Sequence, residues 1–335
     1  MKAVVCTAFT EDLSGLRYMD WSSRAPQADE VRVKLFGGGV NFADLLAVSG
    51  KYQENVDPPF VLGTEGCGIV QECGAAVTGL QSGDRVVIQN NVVRGCLADE
   101  VAVPHYRVAR VPAGVSSVVA AGFPINWGTA YHALKNCGQV KPGEVLVVHG
   151  ASGGVGLAAV QIGKALGATV IATGGSDEKL QTVRADGADH VINYRTGNFV
   201  ERVMELTAGR GADCYYDPVG GDIFDASLKA IAYGGRMLVI GFTSGRIPAA
   251  KANHILFKGI SVIGAGYGGF TKRNPDKWAA LMAEILDMTS RGVLHPRIYR
   301  TLHLSQIVEA LELVRDRSVV GKCVLLSDYG MRETA

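Results

Sequence analysis

The stretch that decides the fold runs from Val145 to Gly167 and reads VLVVHGASGGVGLAAVQIGKALG. It opens with an apolar run, Val145–Val148, that is typical of a buried strand. A glycine-rich turn follows, and apolar residues then recur at spacings of three and four, at Val155, Ala159, Ile162 and Leu166. This spacing predicts a helix with one buried face, and Gly167 supplies its C-terminal stop.

The turn between that strand and helix has an A-x-G-x-x-G pattern, formed by Ala151, Ser152, Gly153, Gly154, Val155 and Gly156. Such a pattern between a strand and a helix is a dinucleotide-binding fingerprint. Gly153 lets the backbone approach a pyrophosphate, and Gly156 allows close packing of helix against strand. The helix N-terminus offers N–H groups and a positive dipole end to the phosphates.

Further strand-like runs alternate with helical patterns after this unit. They are Thr169–Thr173, His190–Asn193, Ala212–Tyr216, Arg236–Ile240 and Ile260–Ile263. Strands that alternate with helices predict an α/β fold with a doubly wound parallel sheet of the Rossmann type. Residues 1–112 instead carry short apolar runs between glycines and prolines, which predict a β-rich domain. A helix is expected over Trp278–Thr289, and short strand-like pieces over 292–335.

Composition limits the classes of function. The chain has 335 residues, of which 47% are hydrophobic and 19% charged, with a net charge of +1. This balance gives no reason to expect binding to nucleic acid or to an anionic membrane surface. No apolar run approaches the length of a membrane helix, Met1-Lys2 opens no signal peptide, and the seven scattered cysteines suit a reducing compartment. We therefore expect a cytoplasmic protein.

The end of the second strand bears on the choice of cofactor. NAD enzymes usually place an acidic residue there to bind the ribose hydroxyls, but Thr173–Gly175 contains none. Ser176 and Lys179 follow where they could receive a 2′-phosphate. Asp177 and Glu178 argue the other way, although a helix start gives them a structural role. The sequence therefore predicts NADPH.

Several motifs together resemble the medium-chain dehydrogenase/reductase superfamily, specifically its zinc-free quinone oxidoreductase branch. They are Gly39–Asp44, Gly63–Gly68, Ala151–Gly156, Asp217–Gly221 and Gly321-Lys322. The resemblance covers essentially the whole chain. It implies a GroES-like catalytic domain, residues 1–122 completed by 266–335, with a Rossmann domain inserted at 123–265. It also implies a homodimer made by edge-to-edge pairing of the last Rossmann strands, around residues 260–266.

The same resemblance bears on metal binding. Zinc alcohol dehydrogenases hold the catalytic metal with Cys, His and Cys, ligands that suit tetrahedral zinc. The matching positions here are Asn41, Thr64 and Ile125, and Ala43 replaces the hydroxyl residue that relays the alcohol proton. The region of the structural-zinc lobe contains only Cys96. We therefore expect no metal site.

Site residues carry over from the resemblance one by one. Asn41 and Thr129 match positions that line the nicotinamide and the substrate carbonyl, and Tyr52 matches a tyrosine near the substrate mouth. Residues that match the adenosine end, or lie near it, are Gly174, Ser176, Lys179, Tyr194 and Arg317. The backbone of Gly241, Phe242 and Thr243 is expected to meet the carboxamide. Asp44 is expected to cap or pair locally.

The resemblance implies metal-free hydride transfer from NADPH to a small-molecule quinone or other conjugated carbonyl. Asn41 and Thr129 would orient the acceptor, and Tyr52 or water would supply a proton. Two alternatives remain open. One is an enoyl-thioester reductase of the acryloyl-CoA type, although the sequence shows no concentrated basic patch for the phosphopantetheine arm. The other is a dinucleotide-binding protein with little or no turnover.

Overall fold

The computed structural model describes residues 1–52, 56–90 and 95–334, which form two compact units. The first unit comprises Met1–Ile125, Asn274–Arg291 and Pro296–Ala335. The second comprises Asn126–Arg273 and Gly292–His295. The chain therefore leaves the first unit after Ile125, returns at Asn274, and contributes Gly292–His295 to the second unit once more.

The strands are β1 (Lys2–Cys6), β2 (Leu16–Asp20), β3 (Glu30–Gly39), β4 (Phe60–Val61), β5 (Glu65–Cys73), β6 (Arg85–Gln89), β7 (Glu100–Pro104), β8 (Val108–Arg110), β9 (Val145–Val148), β10 (Thr169–Gly174), β11 (His190–Asn193), β12 (Ala212–Asp217), β13 (Ile231–Val239), β14 (Ser261–Gly264), β15 (Ile298–His303) and β16 (Lys322–Leu326). The α-helices are α1 (Phe42–Val48), α2 (Ser117–Ala121), α3 (Pro124–Tyr131), α4 (Gly154–Ala165), α5 (Asp177–Ala185), α6 (Phe199–Leu206), α7 (Gly221–Ala230), α8 (Ala252–Lys258), α9 (Tyr267–Arg273), α10 (Pro275–Ser290), α11 (Ile307–Arg315) and α12 (Asp328–Thr334). A π-helical turn, His132–Cys137, follows α3.

A six-stranded sheet forms the centre of the second unit, in the order β11-β10-β9-β12-β13-β14. Neighbouring strands are parallel throughout. The chain moves outward from β9 to β10 and β11, then returns to place β12 on the other side of β9. The predicted doubly wound parallel sheet is confirmed, and its switch point lies between β9 and β12, where such sheets bind ligands.

Helices α4 and α5 follow the first two strands of that sheet. The side chain of Ser176 caps α5, and Asp177 and Glu178 lie in its first turn, where they complement the helix dipole. Glycines follow both helices in left-handed conformations, with φ of 82° at Gly167 and 118° at Gly187. The predicted stop at Gly167 and the predicted helix start at Asp177 and Glu178 are confirmed, and the N-terminus of each helix lies at the carboxyl edge of the sheet.

The first unit is built on a seven-stranded sheet, with β15-β16-β3-β5-β6-β8 in order and β7 also paired with β3. A separate three-stranded sheet has the order β2-β1-β4. Strand β16 comes from the C-terminal part of the chain and pairs antiparallel with the glycine-rich end of β3. A Cβ at Gly37 would lie 2.2 Å from the carbonyl oxygen of Leu325, so this pairing requires glycine.

The boundaries of the units differ from the predicted 122/123 and 265/266. The first division falls after Ile125 and the second after Arg273, because α9 belongs to the second unit. There Phe270 stacks on His132, with ring centroids 4.1 Å apart. Residues 292–295 also join the second unit, since the side-chain amide of Gln161 exchanges two hydrogen bonds with the backbone of His295.

Two further features concern the C-terminal region and the cysteines. The expectation of only strand-like pieces over 292–335 is wrong, because α11 and α12 lie there beside β15 and β16. All seven cysteines are free, and five are buried. In the part of the chain that the structure describes, no helix is both long and apolar enough to cross a membrane.

Candidate functional site

The glycine-rich turn of the second unit joins β9 to α4 at the switch point. Gly153 precedes the helix in an extended conformation and no side chain caps it, so the N–H groups of the first turn remain available. A Cβ at Gly156 would lie 2.3 Å from the carbonyl oxygen of Gly150, so this contact requires glycine. The turn therefore combines backbone donors with the positive end of a twelve-residue helix, an arrangement that favours a phosphate.

The loop after β12 lies against this turn. Side-chain atoms of Val219 and Pro218 are 3.4 and 3.6 Å from the position that a Cβ of Gly150 would take. Asp217 fixes the loop, since its buried carboxylate accepts the N–H of Val219 at 2.8 Å. Burial raises the pKa of Asp217, while the backbone donors act in the opposite direction. Two loops thus meet at the carboxyl edge of the sheet.

The loop after β13 joins the same group. Thr243 donates both its backbone N–H and its hydroxyl to the carbonyl oxygen of Pro218, each at 3.1 Å. This anchors the predicted carboxamide segment, Gly241–Thr243, beside the β12 loop. Phe242 within it is exposed. The structure therefore brings together the predicted pyrophosphate and carboxamide segments, which are far apart in sequence.

The end of β10 presents no acidic group. The strand ends at Gly174, and Ser176 then caps α5 by accepting the backbone N–H of Lys179 at 3.4 Å. The carboxylates of Asp177 and Glu178 are exposed on the first turn of that helix. Their position matches the structural role expected for them at a helix start.

Tyr194 and Arg195 lie over the glycine at this corner. A Cβ at Gly175 would meet the guanidinium Nε of Arg195 at 3.0 Å and the hydroxyl of Tyr194 at 3.2 Å. Tyr194 is one of the predicted adenosine-end residues. Arg195 was missed by sequence reasoning, although a cation just after a strand end was a usable signal. Arg195 is exposed and makes no ion pair within the described residues.

A buried histidine connects β10 to α7 behind the turn. His149 is fully buried, and its ring nitrogens lie 2.7 Å from the hydroxyl oxygen of Thr173 and 2.8 Å from that of Ser227. Burial lowers the pKa of His149 to about 3, so the ring is neutral at physiological pH. A neutral imidazole that bridges two hydroxyls fixes the strand end and supplies no charge to a ligand.

In the first unit, the three positions aligned with zinc ligands meet around one carboxylate. The side-chain amide of Asn41 donates to Thr64 Oγ1 at 3.0 Å and to Glu65 Oε1 at 2.9 Å. The backbone N–H of Ile125 donates to Glu65 Oε2 at 2.7 Å. Both oxygens of Glu65 therefore accept hydrogen bonds from residues that match zinc-ligand positions.

A lysine completes this cluster. Lys322 Nζ donates to Asn41 Oδ1 at 2.6 Å and pairs with Glu65 Oε1 at 2.5 Å. The side chains of Lys322 and Glu65 are only 6% and 0% exposed, so the two charges compensate each other away from water. We call Asn41, Thr64, Glu65 and Lys322 the amide cluster.

Asp44 lies next to the amide cluster at the start of α1. Its Oδ2 accepts the backbone N–H of Asn41 at 2.7 Å, which matches the expected local capping role. Its Oδ1 is buried without a hydrogen-bond partner. Burial raises the pKa of Asp44 to about 7, and the negative charge of Glu65 acts in the same direction, while Lys322 opposes it.

The remaining predicted site residues are Tyr52, Thr129 and Arg317. Tyr52 is partly buried and packs against the core cluster that contains Val40 and Leu62. Thr129 lies in α3 within the second unit and is half-buried. Arg317 follows α11 in the first unit, is exposed, and has a φ of 56°. Their assigned roles stay predictions.

The described residues, with 53–55, 91–94 and 335 set aside, contain no group of three or more His, Cys, Asp or Glu placed to hold a metal ion. The expectation of no metal remains a prediction.

Two family models match the chain. "Alcohol dehydrogenase GroES-like domain" matches residues 27–116, and "Zinc-binding dehydrogenase" matches residues 154–287. Quinone oxidoreductase-like protein 2 of Bos taurus is 36% identical over 303 residues, which span 90% of this chain and 86% of the relative. The chain belongs to the quinone oxidoreductase branch of the medium-chain dehydrogenase/reductase superfamily.

Solved structures of this branch agree with the fold over nearly the whole chain. Escherichia coli quinone oxidoreductase complexed with NADPH has a TM-score of 0.91 at 29% identity, covering 97% of this chain and all of that one. A mycobacterial protein complexed with NADPH has a TM-score of 0.90 at 32% identity, with the same coverage. The predicted combination of a GroES-like domain and a Rossmann domain is therefore confirmed.

The pairing of Glu65 with Lys322 was also missed by sequence reasoning. Both residues were noted only as parts of motifs. A lysine that opens the apolar strand Lys322–Leu326 is a usable signal, because a buried ammonium requires a carboxylate or other acceptor nearby. The sequence alone did not identify which acidic residue that is.

Proposed function

We propose that the protein is an NADPH-dependent reductase that transfers hydride, without a metal, to a quinone or another conjugated carbonyl compound. The observation that carries the proposal is the corner at the end of β10, where Tyr194 and Arg195 approach Gly175 and the strand end, Thr173–Gly175, contains no acidic residue. A 2′-phosphate is favoured where a cation is near and where the strand end carries no carboxylate. The two relatives complexed with NADPH support the same choice.

The geometry of the second unit fits a dinucleotide. Ala151–Gly156 would receive the pyrophosphate on the uncapped N-terminus of α4. Gly241–Thr243 would meet the carboxamide through its anchored backbone. The adenosine-end residues are proposed to be Gly174, Ser176, Lys179, Tyr194 and Arg317, and Arg195 is now added to them.

Bound NADPH would supply the hydride, and the residues of the chain would orient and polarise the acceptor. Asn41 and Thr129 are proposed to orient the nicotinamide and the acceptor carbonyl. Tyr52 is proposed to deliver a proton, directly or through water. Polarisation of the carbonyl should matter more for an enone than for a quinone, because an enone develops a more localised negative charge on its oxygen during hydride transfer.

Zinc independence is part of the proposal. The oxygens of Glu65 are already engaged by Asn41, Lys322 and Ile125, and none of the residues aligned with zinc ligands offers a thiolate or imidazole. Elemental analysis should find no stoichiometric zinc, and chelators should leave turnover intact. One tightly held zinc per chain would contradict this part.

A substrate screen tests the proposed reaction. NADPH oxidation would be followed by absorbance with a benzoquinone, with 2-cyclohexen-1-one and with crotonyl-CoA. We expect the quinone or the enone to have the highest kcat/KM. A clear preference for crotonyl-CoA would instead favour the enoyl-thioester reductase, and no acceleration with any acceptor would favour a binding protein without turnover.

We further propose that the protein forms a homodimer through β14. This strand is at the end of the six-stranded sheet, so one of its edges is unpaired within the chain. Large apolar side chains are exposed close to it, with Leu256 at 76%, Phe257 at 75% and Tyr233 at 84%. A Cβ at Gly259, which follows α8, would lie 3.5 Å from the Tyr233 ring, so the end of the helix and the tyrosine are close to each other.

A further inference from the structure

The side chain of Asn41 has no uncommitted hydrogen-bonding atom. Its oxygen accepts from Lys322 Nζ at 2.6 Å. Its two amide hydrogens face Glu65 Oε1 at 2.9 Å and Thr64 Oγ1 at 3.0 Å, with the carbonyl oxygen of Gly39 farther away at 3.4 Å. The bond to the carboxylate is charge-assisted and therefore strong. An acceptor carbonyl could take an amide hydrogen only by displacing one of these partners.

The hydroxyl of Thr64, unlike the side chain of Asn41, has hydrogen-bonding capacity that is not used. A hydroxyl has one hydrogen to donate and two lone pairs. Thr64 Oγ1 accepts from Asn41, but its own hydrogen has no acceptor in the ranges 1–52, 56–90 and 95–334. The residue is only 4% exposed. A buried donor without a partner is costly, so this hydrogen is suited to an acceptor that arrives with a ligand.

The amide cluster also strengthens that donor. The ammonium of Lys322 polarises the amide of Asn41, and the amide in turn donates to Thr64 Oγ1. Hydrogen bonds in such a chain reinforce one another, particularly where water is excluded. Thr64 is thereby held with one lone pair engaged and its hydrogen available.

We propose that the hydroxyl of Thr64 donates the hydrogen bond that polarises the acceptor carbonyl, and that Lys322 and Asn41 are positioning residues that orient it. This rests on the proposed function and assigns its carbonyl-binding donor. Thr64 keeps its proton throughout. Bound NADPH would supply the hydride that reduces the acceptor and would be left as NADP⁺, and the oxyanion formed on the acceptor would be protonated afterwards by Tyr52 or water.

The kinetic test compares Thr64→Val, which removes the hydroxyl at nearly constant volume, with Thr64→Ser, which keeps it. With 2-cyclohexen-1-one and saturating NADPH, Thr64→Val should lower kcat by about 10²–10³-fold, as loss of one oxyanion donor does. Thr64→Ser should retain most of kcat, and NADPH affinity should not change in either variant. The exposed Thr301→Val is the matched control. Equal losses for Ser and Val, or an unchanged kcat for Val, would overturn the proposal.

A spectroscopic arm separates this inference from the proposed function. Carbonyl-labelled 2-cyclohexen-1-one would be bound to the protein with NADP⁺, which cannot reduce it, and its C=O stretch would be measured. We expect a lowered stretch in wild type and Thr64→Ser, and loss of that lowering in Thr64→Val. A stretch that is the same in Val and wild type contradicts the contact. If none of the acceptors accelerates NADPH oxidation by wild type, the proposed function fails. The C=O stretch of the bound enone still decides whether Thr64 contacts the carbonyl.

Discussion

Lys322 and Glu65 form a pair whose members depend on each other. Both side chains are almost completely removed from water, and each also bonds to Asn41. In such a setting the net stability from the pair is small, but removal of one partner leaves an uncompensated buried charge. The amide cluster is therefore more sensitive to single substitutions than to paired ones.

Lys322→Met should lower the free energy of unfolding by about 3–5 kcal/mol, because the carboxylate of Glu65 would stay buried without its cation. Urea unfolding measures this. Lys51→Met is the control, since Lys51 and Glu11 form an exposed ion pair whose loss should cost about 0–1 kcal/mol. The double variant Lys322→Met/Glu65→Gln should recover much of the loss. A loss below 1 kcal/mol in the single variant would show that the pair is not isolated from water.

Asp44 should make stability depend on pH. Its pKa rises from 3.8 to about 7 in the folded protein, so between these values the folded state binds a proton that the unfolded state has released. The free energy of unfolding of wild type should therefore fall by roughly 1.4 kcal/mol per pH unit as the pH rises toward 7. Above pH 7 this contribution of Asp44 should change little. Asp44→Asn keeps an acceptor for the Asn41 N–H and should remove this slope.

Urea unfolding at pH 5, 6, 7 and 8 measures the difference between wild type and Asp44→Asn. The variant should gain relative stability as pH rises. Asp20→Asn, at a side chain that is 84% exposed, controls for loss of a carboxylate. Parallel pH profiles for wild type and Asp44→Asn would contradict the raised pKa.

At the scale of elements, the corner formed by β10, α5 and the residues after β11 should set the preference for NADPH. Lys179→Met and Arg195→Met should each weaken NADPH binding by about 1–3 kcal/mol, because each removes a cation from the proposed 2′-phosphate site. NADH binding should be nearly unchanged. Fluorescence titration with both cofactors measures this, with Lys229→Met as an exposed control in the same unit. Equal losses for NADPH and NADH would contradict the assignment.

The elements of the second unit were largely predictable because their signals are local. Apolar runs, helix periodicity, the stop at Gly167 and the acidic helix start at Asp177 and Glu178 predicted these strands and helices from short stretches of sequence. The amphipathic pattern of α11, with Ile307, Ala310 and Leu311 buried, was also local but was interpreted as strand-like. There the sequence contained the signal, and the interpretation missed it.

The amide cluster could not be derived from the sequence in the same way. Lys322 and Asn41 are 281 positions apart, and no periodicity relates them. Their contact depends on β16 pairing with β3, which is decided by packing of the whole first unit. The residues aligned with zinc ligands were identified by resemblance. The carboxylate that joins them, Glu65, is recognisable only in the folded structure.

The whole molecule offers one surface that a second copy would cover. If β14 pairs with its equivalent, the apolar side chains of α8 become buried in the dimer. Leu256→Asp/Phe257→Asp should therefore yield a monomer, because both carboxylates would be desolvated at the interface. Light scattering after size-exclusion chromatography measures the mass. Met331→Asp, at an exposed apolar residue of the first unit, is the control, and an unchanged dimer in the double variant would place the interface elsewhere.

The late arrival of β16 has a consequence during synthesis. A ribosome adds about 5–20 residues per second, so roughly 15–55 s separate the appearance of Asn41 from that of Lys322, which lies 281 positions later. During that interval the second unit emerges in full, while Glu65 lacks the cation of Lys322, and the glycine-rich end of β3 has β5 on one side but no strand on the other. The nascent first unit is thus an incomplete sheet with an open edge. That edge is open to pairing with other chains until β16 has been synthesised.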